Sequence, residues 1–248
     1  MGKLDETTLR NNVTQEFEER LLLVRQKIRA AALSSGRSEK DITLIGVSKL
    51  FPVDSVRMAI DCGLVDLGEN YVQELVEKDD ALRELGLCPR WHMIGGLQSN
   101  KVKYLIGRTE LVHSVASMSV ATEFAKRSCR VGRETKILLQ VNISLEESKQ
   151  GFCSDDLPRA MEAVQRMDGI RLCGLMTMAP ICHVPHASLS LFEKTREVYE
   201  KMRQYTRDPA EWTVLSMGMS GDYEDAIACG ATHVRIGTAI FGSRNREM

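Results

Sequence analysis

The sequence predicts a single α/β domain folded as a (β/α)8 TIM barrel. Short β-branched runs alternate with amphipathic helical stretches, no turn signal joins two such runs as a hairpin, and roughly eight strand–helix units can be counted. Alternation argues for a parallel sheet with helices outside, and the count favours closure over an open doubly wound sheet. A chain of 248 residues also lies in the range where one barrel buries its core without disulfides or metals.

The elements follow in order. Residues 1–12 are polar and mixed in charge, and are expected to lack ordered structure. A helix comes next, with Phe17, Leu21, Val24, Ile28 and Ala31 on one stripe, ending near Ser34-Ser35-Gly36. Ile42–Val47 reads as the first buried strand, and Val53–Cys62 as a helix with Pro52 suited to its start. Val65–Gly68 is the second strand, followed by a helix over Tyr71–Leu85. Trp91–Ile94 is the third, with a helix around Ser99–Ile106, and Leu111–Val115 precedes a helix over Ser119–Arg130. Ile137–Val141 is the clearest strand, followed by a helix over Asp155–Met167. Ile170–Met176 leads into a loop with Pro180 and Pro185, then a helix over Ser188–Tyr205. Thr213–Leu215, a short helix over Tyr223–Cys229 and a last strand, His233–Ile236, complete the count. No Gly- or Ser-rich linker divides the chain, so residues 1–248 are expected to form one domain.

Composition narrows the function classes. The net charge of −1 leaves no basic surplus for a phosphate backbone, so nucleic acid is not an expected partner. Seven cysteines, odd in number and without a Cys-x-x-Cys pair, fit reduced thiols rather than a disulfide framework or a zinc site. Neither a leader peptide nor an apolar run of membrane-spanning length is read, and a cytoplasmic protein is expected.

In such a barrel, chemistry comes from the C-terminal ends of strands. The polar residues there are Ser48-Lys49, Glu69-Asn70, His92, Asn142, Thr177, Ser216 and Arg235 to Thr238. A lysine ending a buried strand stands out. Desolvation favours the neutral amine that attacks an aldehyde, although spacing alone leaves open a lysine that snorkels to the surface. Ser216-Met217-Gly218-Met219-Ser220-Gly221-Asp222 follows a strand and opens a helix, and Gly237-Thr238 offers a second set of donors. Glycine backbones, serine hydroxyls and free N–H groups of this kind suit an anion, and each segment alone also suits an ordinary turn. Together with Lys49 they outline a site for a phosphorylated carbonyl compound. Arg235 alternates with Val234 and Ile236, placing it either at the barrel mouth or in a structural ion pair. His92 reads more readily as a satisfied core histidine than as an acid or base, and Asn70 as easily as a helix cap as a ligand-binding residue. His183 and His186 have no carboxylate or cysteine partners at metal-ligand spacing, so no metal is expected. The loop from Ser144 to Gly151 is read as a lid or a solvated connection.

These segments resemble the pyridoxal phosphate homeostasis proteins, once called proline synthase co-transcribed proteins. The resemblance is carried by Val47-Ser48-Lys49, Leu67 to Glu74, Trp91 to Lys101, Val141 to Ser144 with Glu147-Ser148-Lys149, Gly174 to Thr177, Leu215 to Ser220, and Val234 to Gly242. They run in family order over nearly the whole chain. Gly96 departs from the pattern, standing where many relatives carry a larger residue.

The resemblance implies a fold-type III barrel like the N-terminal domain of alanine racemase, with pyridoxal 5′-phosphate held as a Schiff base on Lys49. Ser216, Met217, Ser220, Gly237 and Thr238 then fall on phosphate-binding segments, and Arg235 on the arginine beside the pyridine nitrogen. Asn70, His92 and Asn142 fall on positions lining the pocket. The expected role is vitamin B6 homeostasis with little or no turnover, and the partners are the cofactor and pyridoxal-phosphate-dependent apoenzymes. A monomer is expected, because the chain ends just past the last strand without the second domain of a racemase. The alternatives are a racemase-like enzyme, needing an acid/base opposite Lys49, and a sugar-phosphate barrel with an aldolase-like lysine.

Overall fold

Eight parallel strands pair in chain order, and the eighth returns to the first, closing a TIM barrel in the computed structural model. The structure describes residues 6–144, 146, 150–180 and 184–243. Helix α1 (Glu6–Ser34) precedes β1 (Thr43–Val47), α2 (Val53–Asp61), β2 (Asp66–Glu69) and α3 (Val72–Glu84). Then come β3 (Arg90–Met93), β4 (Thr109–Val115), α4 (Met118–Arg130), β5 (Thr135–Gln140), α5 (Leu157–Val164) and β6 (Ile170–Met176). Helix α6 (Leu189–Arg203), β7 (Val214–Ser216), α7 (Tyr223–Ala228), β8 (His233–Ile236) and α8 (Thr238–Phe241) complete the chain.

Two expectations are corrected, and two short elements are new. Helix α1 takes in residues 6–12, which were expected to lack ordered structure. Extending a nucleated helix costs far less than starting one, and the buried stripe of Phe17, Leu21, Val24 and Ile28 supplies the nucleus. The segment read as a helix around Ser99–Ile106 is a 3-10 turn over Ser99–Tyr104, cut short by Gly107 at φ 76°. The final α8, and a 3-10 turn over Glu39–Asp41 capped by Ser38 and Asp41, were not read from sequence.

The apolar residues divide into two layers. The larger lies between strands and helices. A smaller one, Leu111, Leu138, Cys173, Met176 and Val214, forms a separate cluster contributed by β4 to β7. Helix α1 closes the outer ring beside α8: Phe17 meets Phe241 edge-on at 5.4 Å, and Arg20 Nε donates to the Ile240 carbonyl at 2.9 Å. Strand pairing is uneven. All of Thr135–Gln140 is in register with β6, whereas β7 and β8 share a single pair, Ser216 with His233.

Candidate functional site

Lys49 follows β1 at the C-terminal end of the barrel and is half-buried. Its two neighbours are fastened from below. The buried Lys78 ammonium donates to the Ser48 carbonyl (2.8 Å), Glu69 Oε1 (2.7 Å) and Glu74 Oε1 (2.7 Å). Ser48 Oγ donates to Glu69 Oε1 at 2.7 Å, and the Leu50 N–H to Glu74 Oε1 at 2.5 Å. Leu50 sits in the left-handed region at φ 64°, a conformation that a side chain of this size adopts only when its surroundings impose it.

One ammonium cannot neutralise two buried carboxylates. Burial pushes the Glu69 carboxyl up to about 7, against the pull of Lys78 and Ser48, and Glu74 adds to the push. A carboxyl raised in the folded state contributes most below its ordinary 4.5 and loses that contribution as pH rises through 7. Glu69→Gln keeps the acceptor and removes the charge. Its urea-unfolding stability is expected to gain roughly 3 kcal/mol on the native protein between pH 4.5 and pH 8. A difference that stays constant over that range would rule out the raised carboxyl.

The phosphate-like donors gather where β7 and β8 end. Gly237 and Ala239 N–H groups both approach Ser220 Oγ, at 3.2 and 3.5 Å. A Cβ built on Gly237 would lie 3.4 Å from the Val47 carbonyl oxygen, so this cup flanks the end of the strand that leads into Lys49. Thr238 is exposed on its rim, and Asn70 and Asn142 follow β2 and β5 at the same end. The Asn142 amide donates to the Glu146 carbonyl at 2.9 Å, at the start of the loop expected to be a lid or a solvated connection. Residues 145 and 147–149 of that loop lie outside the described residues, as does His183.

Arg235 stands in register with Ile45 of β1 and is buried. Its Nη1 donates to Ser216 Oγ at 2.5 Å and its Nη2 to the Thr177 carbonyl at 2.9 Å. Burial lowers the guanidinium to about 10, so it stays protonated at neutral pH. Ser216 therefore offers its hydroxyl to Arg235 within the barrel rather than to the cup. Met217 is wholly buried with its N–H on the His233 carbonyl, a core residue.

His92 departs furthest from expectation. Its ring is committed to His113 (Nδ1 to Nε2, 2.9 Å) and to Asp66 (Nε2 to Oδ1, 3.1 Å). With His233 it lines a cavity of 330 Å³ at the N-terminal end of the barrel, alongside Glu110 and Lys136, and not the mouth that holds Lys49. His113, His233, Asp66 and Lys78 went unread in the sequence. Strand alternation carries the signal for the first two, since His113 shares a face with Leu111, and His233 with Arg235. Among the described residues, no group of three or more His, Cys, Asp or Glu could hold a metal ion, and no helix is long and apolar enough to cross a membrane.

Comparison with known proteins bears on the family and the fold. The family model for the alanine racemase N-terminal domain matches residues 38–245. The pyridoxal phosphate homeostasis protein of Aquifex aeolicus is 40% identical over 230 residues, covering 91% of this chain and 97% of that protein. The Escherichia coli protein of the same name is 39% identical over 227 residues, covering 91% and 95%. The structure of PipY from Synechococcus elongatus with pyridoxal phosphate bound is similar at a TM-score of 0.78 and 30% identity, covering 91% of this chain and 100% of that one. Alanine racemase of Clostridium difficile, at 15% identity and a TM-score of 0.67, covers 84% of this chain and 56% of its own, and shares the fold alone. By sequence over nine-tenths of its length and by its closed barrel, the chain belongs to the pyridoxal phosphate homeostasis protein family.

Proposed function

We propose that this chain binds pyridoxal 5′-phosphate at the C-terminal mouth of its barrel, as a Schiff base on Lys49, and serves in intracellular vitamin B6 homeostasis. The observation that carries the reading is the convergence of two backbone N–H groups on Ser220 beside the strand that ends in Lys49. Donors of this kind suit a phosphate, and a lysine at that point suits the aldehyde of the same molecule. Asn70, Asn142 and Thr238 stand at the rim. Ser216 and Met217 lie beneath it.

The cofactor, when bound, supplies an electron-withdrawing ring. Arg235 keeps its proton at physiological pH and, facing a ring nitrogen, leaves that nitrogen unprotonated and the withdrawal weak. This supports a carrier with little or no turnover, one that shields a reactive aldehyde and delivers it to apoenzymes. We place it in the cytoplasm as a single-domain monomer without nucleic acid or membrane partners; the free thiols of the six described cysteines support a reducing compartment.

Borohydride reduction of the protein incubated with pyridoxal phosphate is expected to leave a phosphopyridoxyl group on the Lys49 peptide and on no other. Lys49→Ala should show neither the adduct nor the visible absorption of the native protein. A native protein that stays colourless, or an adduct spread over surface lysines, would overturn the reading.

A further inference from the structure

A chain of side-chain hydrogen bonds runs through the inside of the barrel, from Arg235 at the cofactor end to Asp66, the first residue of β2. Arg235 Nη1 reaches Ser216 Oγ at 2.5 Å, and Ser216 Oγ reaches His113 Nδ1 at 2.8 Å, passing from β7 to β4. His113 Nε2 meets His92 Nδ1 at 2.9 Å, and His92 Nε2 meets Asp66 Oδ1 at 3.1 Å. Beyond it, Arg90 holds Asp66 through both carboxylate oxygens, at 2.7 and 2.5 Å. His92, His113 and Ser216 are all buried.

With a single hydrogen on each imidazole, the two ends fix the direction of every bond between them. A guanidinium only donates, so Ser216 Oγ accepts from Arg235. Burial favours the protonated form of Asp66, but hydrogen bonds from His92 and Arg90 outweigh it and hold the carboxyl at about 2, so Asp66 only accepts. His92 Nε2 must then carry a hydrogen. Burial above all holds His113 well below the usual histidine range, so its ring carries a single hydrogen. With that hydrogen on Nε2, His113 donates to His92, Ser216 donates to His113, and all four bonds are made in one sense. With it on Nδ1, two donors would face Ser216 Oγ and the hydroxyl hydrogen would lose His113 as its acceptor.

We propose that Asp66, His92, His113 and Ser216 are positioning residues for the cofactor: a hydrogen-bond relay of one polarity that orients the Ser216 lone pair toward Arg235 and so fixes the guanidinium. The role follows from what Arg235 touches. Its side chain is buried among uncharged acceptors, Ser216 Oγ and the Thr177 carbonyl. A serine whose own hydrogen is drawn toward a histidine–histidine–carboxylate chain is a better acceptor than a serine alone, because each bond polarises the next. The charge of Asp66 is thereby felt at Arg235 through three intervening side chains. The polarity of the relay stands on the structure; its effect on the cofactor rests on the function proposed above.

The test separates the two. Nitrogen-15 spectra of the histidines, recorded without cofactor, are expected to show the Nε2–H tautomer at both His92 and His113. In Asp66→Leu, which removes the anchoring acceptor, His113 is expected to change tautomer although it does not touch residue 66. Native His113 as the Nδ1–H tautomer, or unchanged in Asp66→Leu, would overturn the relay whether or not the protein binds pyridoxal phosphate. In the binding arm, absorbance titration of Asp66→Leu and His113→Phe should show about tenfold weaker pyridoxal phosphate binding and a displaced absorption maximum. His233→Gln, outside the chain of bonds, should match the native protein. Native-like affinity and spectrum in both relay variants would sink the positioning role. A native protein that fails to bind would instead sink the proposed function, leaving the tautomer result to judge the relay. Should Asp66→Leu not fold, His113→Phe and the native tautomers decide.

Discussion

Replacing Lys78 with methionine is expected to cost about 3–5 kcal/mol of stability, because it strips two buried carboxylates of their shared cation. Methionine matches the lysine stem in bulk, so little of the loss comes from a cavity. The charge balance changes instead: Glu69 and Glu74 already have a buried Oε2 each without a hydrogen-bond partner, and without Lys78 they face each other unneutralised. The penalty is expected to be larger above pH 7, where the Glu69 carboxyl ionises, than near pH 5. Lys78 also holds the Ser48 carbonyl, one residue before Lys49. Cofactor loading is therefore expected to fall along with the urea midpoint. Unfolding curves at the two pH values, read beside the Lys49 adduct yield, check both; a pH-independent loss would assign the effect to packing.

The second large effect is expected at Gly95. A Cβ there would sit 2.0 Å from the Asn70 carbonyl oxygen and 2.6 Å from the Asn70 Cα, a backbone that has no flexible end to move aside. Gly95 is itself pinned, its carbonyl accepting from Ser114 Oγ at 2.6 Å. Gly95→Ala must push the loops after β2 and β3 apart, at an expected cost of about 3 kcal/mol or more. The neighbouring Gly96→Ala serves as the control. Its Cβ would meet only the end of the Gln150 side chain, which can swing away, so near-native stability is expected. Thermal melting of the pair, with pyridoxal phosphate titrations, gives the comparison. Equal melting temperatures would show that the two loops have slack at this contact.

The barrel was legible because its strands are apolar runs of β-branched residues and its helices carry stripes, and neither signal depends on distant partners. Lys49 and Arg235 stand out in the sequence for a related reason, as charged residues at the ends of such runs, and Ser220 and Gly237 as parts of the turns that follow; their roles belong to the proposal. The relay was not. Its members come from β2, β3, β4 and β7, and only the closure of the sheet brings Ser216 opposite His113. His92, a core histidine on the reading of its own residues and a pocket residue only by the resemblance, leans toward Asp66, a direction that strand order does not reveal. Lys78 was half visible. Its spacing from Glu74 is that of a helical ion pair, but the third partner, Glu69, lies on a strand and reaches it only after α3 packs down.

The seam between β7 and β8 has a single registered strand pair, continued on either side by backbone hydrogen bonds from Thr232 to Leu215, Met217 to His233 and Arg235 to Gly218. The Ser220 hydroxyl and the Gly237 amide reach across that same gap from its two sides. A phosphate lodged there would act as a further rivet across a seam that backbone bonds already lace. Cargo and container would then hold each other closed.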